Sequence, residues 1–211
     1  MDPGVLVVSV VVLLFSLTVH EAAHAWAADR LGDPTARLLG RLSLNPVVHI
    51  DPVGTLLLPA VAIATGAPLI GWAKPVPVNT SRLRRYPRDY MLVAAAGPAS
   101  NILIAVAASL GLRLMPLTPL GLGGFDVAEP TFALATTALQ LNLLLAVFNL
   151  VPVPPLDGGN ILGGVLRGRL SERYELIRPW GVFILYALML SGALRYIIAP
   201  PYALLARLLT L

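Results

Sequence analysis

Charged side chains are confined to short intervals of this chain, and five runs, residues 3–19, 52–73, 90–112, 130–156 and 179–194, hold no Asp, Glu, Lys or Arg at all. Several of them reach the roughly 20 apolar residues that a helix needs to cross a hydrocarbon core about 30 Å thick. The pattern predicts transmembrane helices at 5–28, 90–112, 131–150 and 179–198. The first run has no basic n-region, and its Ala-rich continuation Glu21 to Ala28 carries no break, so it reads as a retained span rather than a signal peptide. It should stop at Leu31-Gly32-Asp33-Pro34, a Gly and Pro terminator. The run 52–73 is interrupted by Pro52, Gly54, Pro59, Gly66, Pro68 and Gly71, which predicts a re-entrant or partly unwound element. Residues 71–79 alternate and turn like a strand or hairpin. A Pro-rich break at 149–159 separates the third predicted span from a basic patch and the last helix. The predicted fold is an all-α polytopic membrane protein of about four to six transmembrane helices, with a broken element and a small strand or hairpin segment near the candidate site.

Composition supports the same class. The 211 residues are 57% hydrophobic and 12% charged, against about 25% charged in soluble domains, which excludes a water-soluble enzyme. The net charge of +4 does not point to nucleic acid, because 14 of the 15 basic residues are arginines scattered over short loops. Segments 29–51, 70–89 and 167–178 hold twelve of those fifteen, so the positive-inside rule places all three on the cytoplasmic side. With four spans, that works only if 52–73 does not cross completely. The absence of cysteine removes any disulfide, thiolate ligand or cysteine nucleophile.

The first predicted helix contains His20-Glu21-Ala22-Ala23-His24. Histidines at i and i+4 share one helix face, so their imidazoles can converge on one metal while the intervening Glu projects beside a metal-bound water. His20 lies roughly 22 Å along the helix from Val5 at 1.5 Å per residue, inside the bilayer, where ionisable groups need a partner. A catalytic zinc site usually has three protein ligands and an open position. Three further residues are candidates: His49, Asp51 and Asp157. His49 and Asp51 fall in a predicted surface segment, where solvation or turn capping competes with a supporting role. Asp157 follows the uncharged run 130–156 and is flanked by Pro154-Pro155 and Gly158-Gly159. An isolated carboxylate on broken backbone beside a span calls for a cation, although helix capping would also employ it.

The first motif, together with Asn149-Leu-Val-Pro-Val-Pro-Pro-Leu-Asp157-Gly-Gly, resembles the site-2 protease family of intramembrane zinc metalloproteases. Matching pieces also lie at His49 to Pro59, Gly71 to Asn79 and Gly97-Pro-Ala-Ser-Asn101. The resemblance runs from the first helix to about residue 165. It implies the short bacterial-type branch, without a PDZ domain between the spans or an appended regulatory domain. It further implies one Zn2+ per chain held by His20, His24 and Asp157, with Glu21 as catalytic base. The expected organisation is a single integral-membrane metalloprotease domain over 1–211, with a core at 5–165, a further helix at 179–198 and an apolar tail. The expected setting is the cell membrane, with the active site towards the cytoplasm.

The implied reaction is hydrolysis of a peptide bond within or beside a transmembrane segment of a membrane-protein substrate. Zinc acidifies water and polarises the carbonyl, and Glu21 takes the proton. Asn149 is the candidate oxyanion donor, with bonding to backbone carbonyls freed at the Pro-rich break as its alternative role. Asn101 reads as an interhelical hydrogen-bonding residue. A transporter or channel using the His/Glu/Asp cluster as an ion or proton path is the competing function class. It predicts polar residues on several other spans or internal repeats. A metal-binding scaffold without activity is a third, disfavoured by a base between the ligands.

Overall fold

A computed structural model describes residues 3–57, 61, 74–115, 121–122, 125–126 and 128–210. The first helix, α1, spans Pro3–Leu31 without a break. Between Val5 and Leu31 there is no Pro or Gly, so the backbone can satisfy its hydrogen bonds internally, as hydrocarbon demands. Ser9 and Thr18 turn their hydroxyls back onto the carbonyls of Val5 and Leu14. The helix closes where the sequence places its stop. Gly32 adopts φ +114°, its amide bonds Asp29, and the Asp33 amide reaches back to the Ala28 carbonyl at 2.9 Å, a Schellman closure. A short helix, α2 (Thr35–Leu38), ends in the same way. There Gly40 has φ +68°, and the amides of Gly40 and Arg41 bond the carbonyls of Arg37 and Ala36. A 3-10 turn at Pro46–His49 and a wide π-type turn at Pro52–Leu57 follow.

The chain continues as α3 (Arg88–Leu114), a two-residue antiparallel pairing of β1 (Gly121–Leu122) with β2 (Phe125–Asp126), and α4 (Ala128–Asn149). Beyond the Pro-rich break come α5 (Asp157–Val165), α6 (Arg169–Ile177), α7 (Gly181–Leu190) and α8 (Ala193–Thr210). Helices α1, α3 and α4 pack against one another. Small residues at the contacts, Ala25, Ala28 and Ala105, are fully buried and let the backbones approach, which matters because lipid supplies no hydrophobic drive between helices. Helix α8 covers Ala105, Leu139 and Leu143 with Tyr202 and Leu205. The outward faces of α1, α3 and α7 stay apolar, with Val7, Leu103 and Phe183 among their exposed side chains, as a lipid-facing surface requires.

Three helices, Gly4–Leu31, Arg88–Leu114 and Pro130–Asn149, are long and apolar enough to cross a membrane, and there are four if the bent pair Arg169–Leu190 and Ala193–Thr210 is one span. The continuous helix expected at 179–198 is instead broken at Ser191-Gly192, where Gly192 takes φ +72° and the axis turns by 83°. The strand or hairpin expected at 71–79 is not formed by its described residues, 74–79, which run extended without a strand partner. Pro75 and Pro77 have no N–H to give to a ladder. Most of the predicted re-entrant element, residues 58–60 and 62–73, lies outside the described residues. Its flanks are described. The Lys74 amide bonds the His49 carbonyl at 2.9 Å, and the Arg84 amide bonds Leu31 at the end of α1 at 3.3 Å.

These bonds place 31–49 and 74–84 together. In the otherwise cysteine-free chain, single cysteines at Leu39 and Thr80 are expected to react with an impermeant maleimide from one and the same side of the membrane. Labelling from opposite sides would contradict the arrangement.

Candidate metal centre

Helix α1 carries His20 and His24 one turn apart, both buried, with their Nε2 atoms 3.1 Å apart and the ring planes at 86°. The other ring nitrogen of each has a fixed acceptor. His24 Nδ1 lies 2.7 Å from the Val93 carbonyl of α3. A carbonyl only accepts, so Nδ1 carries a proton, and in the neutral ring Nε2 presents a lone pair. His20 Nδ1 lies 2.6 Å from Asn101 Oδ1. The polarity there follows from a longer chain of bonds. Asn101 Nδ2 donates to Asn142 Oδ1 on α4 at 2.8 Å, and Asn142 Nδ2 donates to Ser16 Oγ and to the Ala138 carbonyl. The Ser16 hydroxyl ends the chain on the Val12 carbonyl. Each link has one possible direction once the terminal carbonyls are counted as acceptors, so His20 also donates from Nδ1, and in the neutral ring Nε2 is the lone-pair nitrogen.

Asp157 is the first residue of α5. Its Oδ2 lies 3.1 Å from His20 Nε2 and 3.4 Å from His24 Nε2, is buried, and has no hydrogen-bond partner among the described residues. The capping alternative is not what the structure contains, because Leu156 occupies the N-cap position of α5 and no side-chain cap is formed. Gly158 and Gly159 explain why α5 can start so close to the break. A Cβ on Gly158 would fall 2.5 Å from the Val151 carbonyl oxygen, and one on Gly159 would fall 2.6 Å from Pro154 N. The helix is then held from α6, where the Tyr174 hydroxyl donates to the Gly159 carbonyl at 2.6 Å.

Three acceptor atoms therefore converge, and they form the metal-capable group found among the described residues. Zinc bonds of about 2.0–2.1 Å in a tetrahedron imply donor separations of about 3.3 Å, close to the 3.1, 3.1 and 3.4 Å found here. The orphaned Asp157 oxygen and the two fixed imidazole lone pairs fit a divalent cation and no proton-sharing arrangement of neutral rings. Space for it is reserved by Gly97 of α3, where a Cβ would come within 2.6 Å of His20 Nε2 and closer still to His24 Nε2.

Glu21 stands outside this group. Its Oε2 accepts the backbone N–H of Val76 at 3.1 Å. Asn149 is half-buried and donates from Nδ2 to the Leu145 carbonyl at 3.0 Å, a bond to its own helix. His49 and Asp51 do not join the centre. His49 is buried with Nε2 on the Ser43 carbonyl, and Asp51 accepts the amides of Val53 and Gly54. Asn101 is the interhelical residue expected. Sequence reading missed its partners Asn142 and Ser16, for which the only signal is a polar side chain inside an apolar span that needs a partner there.

A bundle of apolar helices around a buried His2Asp donor set defines a membrane-embedded metalloprotein. The family comparison makes the class specific. Residues 119–191 match the model of Peptidase family M50. Over 192 residues, 90% of this chain and 84% of the relative, the sequence is 35% identical to "Putative zinc metalloprotease YwhC" of Bacillus subtilis. It is 32% identical over 195 residues to "Putative zinc metalloprotease Rip2" of Mycolicibacterium smegmatis, covering 90% of this chain and 70% of that one. No solved structure matches. The chain belongs to peptidase family M50, the site-2 protease family, and is a membrane zinc metalloendopeptidase.

Two substitutions test the centre through zinc content alone. Gly97→Ala overpacks the donor atoms, at about 1–3 kcal/mol, and is expected to weaken zinc binding roughly 5- to 150-fold. Asn101→Ala removes the acceptor that sets the His20 tautomer, and a loss of about 10- to 100-fold is expected. Competition against a chelator with a zinc indicator reads both. Wild-type affinity in Gly97→Ala would contradict the placement of the ion.

Proposed function

We propose that the chain hydrolyses peptide bonds within or beside transmembrane segments of other membrane proteins, with His20, His24 and Asp157 holding one zinc ion and Glu21 as general base. The observation that carries this reading is the convergence of two tautomer-fixed imidazoles and an orphaned carboxylate, with a second carboxylate one residue from the first ligand. Bound zinc supplies Lewis acidity, which acidifies water and polarises a peptide carbonyl. Glu21 holds the proton removed from that water on its carboxylate and returns it to the leaving amine. The Val76 N–H on Oε2 fixes the carboxylate's direction and leaves Oε1 for the proton. Asn149 supplies an oxyanion donor by releasing the Leu145 carbonyl.

The site lies near the C-terminal end of α1, where arginine-rich segments gather. Positive-inside bias supports a cytoplasmic-facing centre and an outside N-terminus. Residues 5–165 contain every group in the proposed reaction, and we read 1–211 as one domain with α7 and α8 as its support. A helical substrate must unwind before hydrolysis, because its peptide groups are bonded internally. A transport function is not favoured, since the polar chain from His20 ends on backbone carbonyls that have no proton to pass on.

Glu21→Gln is expected to keep its zinc and to lose about 10²- to 10⁴-fold in cleavage rate, measured on a transmembrane substrate in liposomes. Unchanged cleavage would refute the assignment of the base.

A further inference from the structure

The Val76 N–H that meets Glu21 belongs to a segment with no secondary structure of its own, so something else must hold it in place. Two buried charged residues do so. Arg41 is 7% exposed and makes no ion pair with any described residue. Its guanidinium instead donates to three backbone carbonyls: Val48, Lys74 at 2.5 Å and Pro75 at 3.2 Å. Asp33 is fully buried and accepts the Asn79 amide at 2.6 Å, while its other oxygen takes the amide and hydroxyl of Thr35. One residue thus grips the beginning of 74–79 by its carbonyls and the other grips its end by an amide. The Val76 N–H on Glu21 lies between them.

Both grips have the same origin in the sequence. Each follows a glycine of positive φ that closes a helix, Gly32 before Asp33 and Gly40 before Arg41. The Schellman geometry turns the chain sharply and sends the next side chain inward. A guanidinium suits the Arg41 position because its planar fork meets several carbonyls at once and stays charged when buried.

We propose that Arg41 and Asp33 are positioning residues for catalysis. They form a two-jawed clamp that holds segment 74–79 so that the Val76 N–H orients the Glu21 carboxylate. The proposal rests on Glu21 being the base. It makes Arg41 act on turnover rather than on zinc or substrate affinity, because none of its contacts involves a zinc ligand. It also assigns the prolines a purpose. Pro75 and Pro77 stiffen the segment and leave Val76 as the single amide between them.

The test compares Arg41→Ala, Arg41→Lys, Val76→Pro and Glu21→Gln in the full-length, zinc-loaded protein, with a transmembrane substrate in liposomes. Val76→Pro deletes the one N–H donor and leaves both jaws intact. Arg41→Ala and Val76→Pro are expected to retain zinc, to keep KM within about twofold and to lower kcat on the order of 10- to 100-fold. Arg41→Lys, able to reach fewer carbonyls, should recover part of the loss. A second readout needs no turnover. Hydrogen exchange over 74–78, which contains only the amides of Lys74, Val76 and Val78, should quicken at Val76 in Arg41→Ala, with or without zinc. If Arg41→Ala loses zinc, Val76→Pro decides. Wild-type kcat in Val76→Pro, or unchanged Val76 exchange in Arg41→Ala, overturns the clamp. If Glu21→Gln itself still cleaves, the base assignment fails instead.

Discussion

Three atoms able to ligate a metal sit within 3.4 Å of one another in the interior of the protein, on His20, His24 and Asp157. Burying a single unpaired carboxylate costs several kcal/mol even after relaxation, and facing it with two imidazole lone pairs raises that cost. In the proposed site a divalent cation removes the conflict, and the surrounding groups hold the three side chains in position for it. Val93 and Asn101 hold the ring protons on the far nitrogens. Asn142 and Ser16 hold Asn101. Gly97 keeps the volume empty of side chain, and the glycines after Asp157 let α5 begin against the Pro-rich break.

The polar chain also serves the fold. Between apolar helices in lipid there is no hydrophobic gain, and interhelical hydrogen bonds are worth about 0.6–2 kcal/mol each. One bond of that size does not decide whether α1, α3 and α4 assemble. The series from Ser16 through Asn142 and Asn101 to His20 crosses all three helices and ends at a proposed metal ligand, so assembly and the orientation of that imidazole are specified by the same bonds. The loop side of the site follows a similar economy. Two helix ends each close on a glycine, and the residues that follow, Asp33 and Arg41, secure the backbone that touches Glu21.

Much of this was legible in the sequence because it depends on local rules. The i, i+4 histidines, the break-free α1, its Gly stop and the isolated Asp157 can each be read from residue types and spacing, and three of the four predicted spans appear with bounds close to those expected. What could not be read is set by packing in three dimensions. Asn142 is an ordinary polar residue until α3 places Asn101 against it. The strand expected at 71–79 does not form over its described residues, 74–79, because Pro75 and Pro77 lack the N–H a ladder needs and the segment is gripped by side chains instead. The helix expected at 179–198 failed because a single Gly192 in a strongly apolar run outweighed hydropathy and allowed an 83° bend. Arg41 looked like one more topology arginine, and only its carbonyl partners distinguish it.

The central claim concerns which atoms hold the ion, and X-ray absorption at the zinc edge of the purified, zinc-loaded protein tests it most directly. The account predicts a first shell of light atoms at about 2.0–2.1 Å, with the multiple-scattering signature of two imidazoles. One imidazole should disappear in His24→Ala, while the Asp157→Asn spectrum changes without losing imidazole scattering. A wild-type spectrum without imidazole scattering, or one that is the same in His24→Ala, would contradict the site built here from His20, His24 and Asp157.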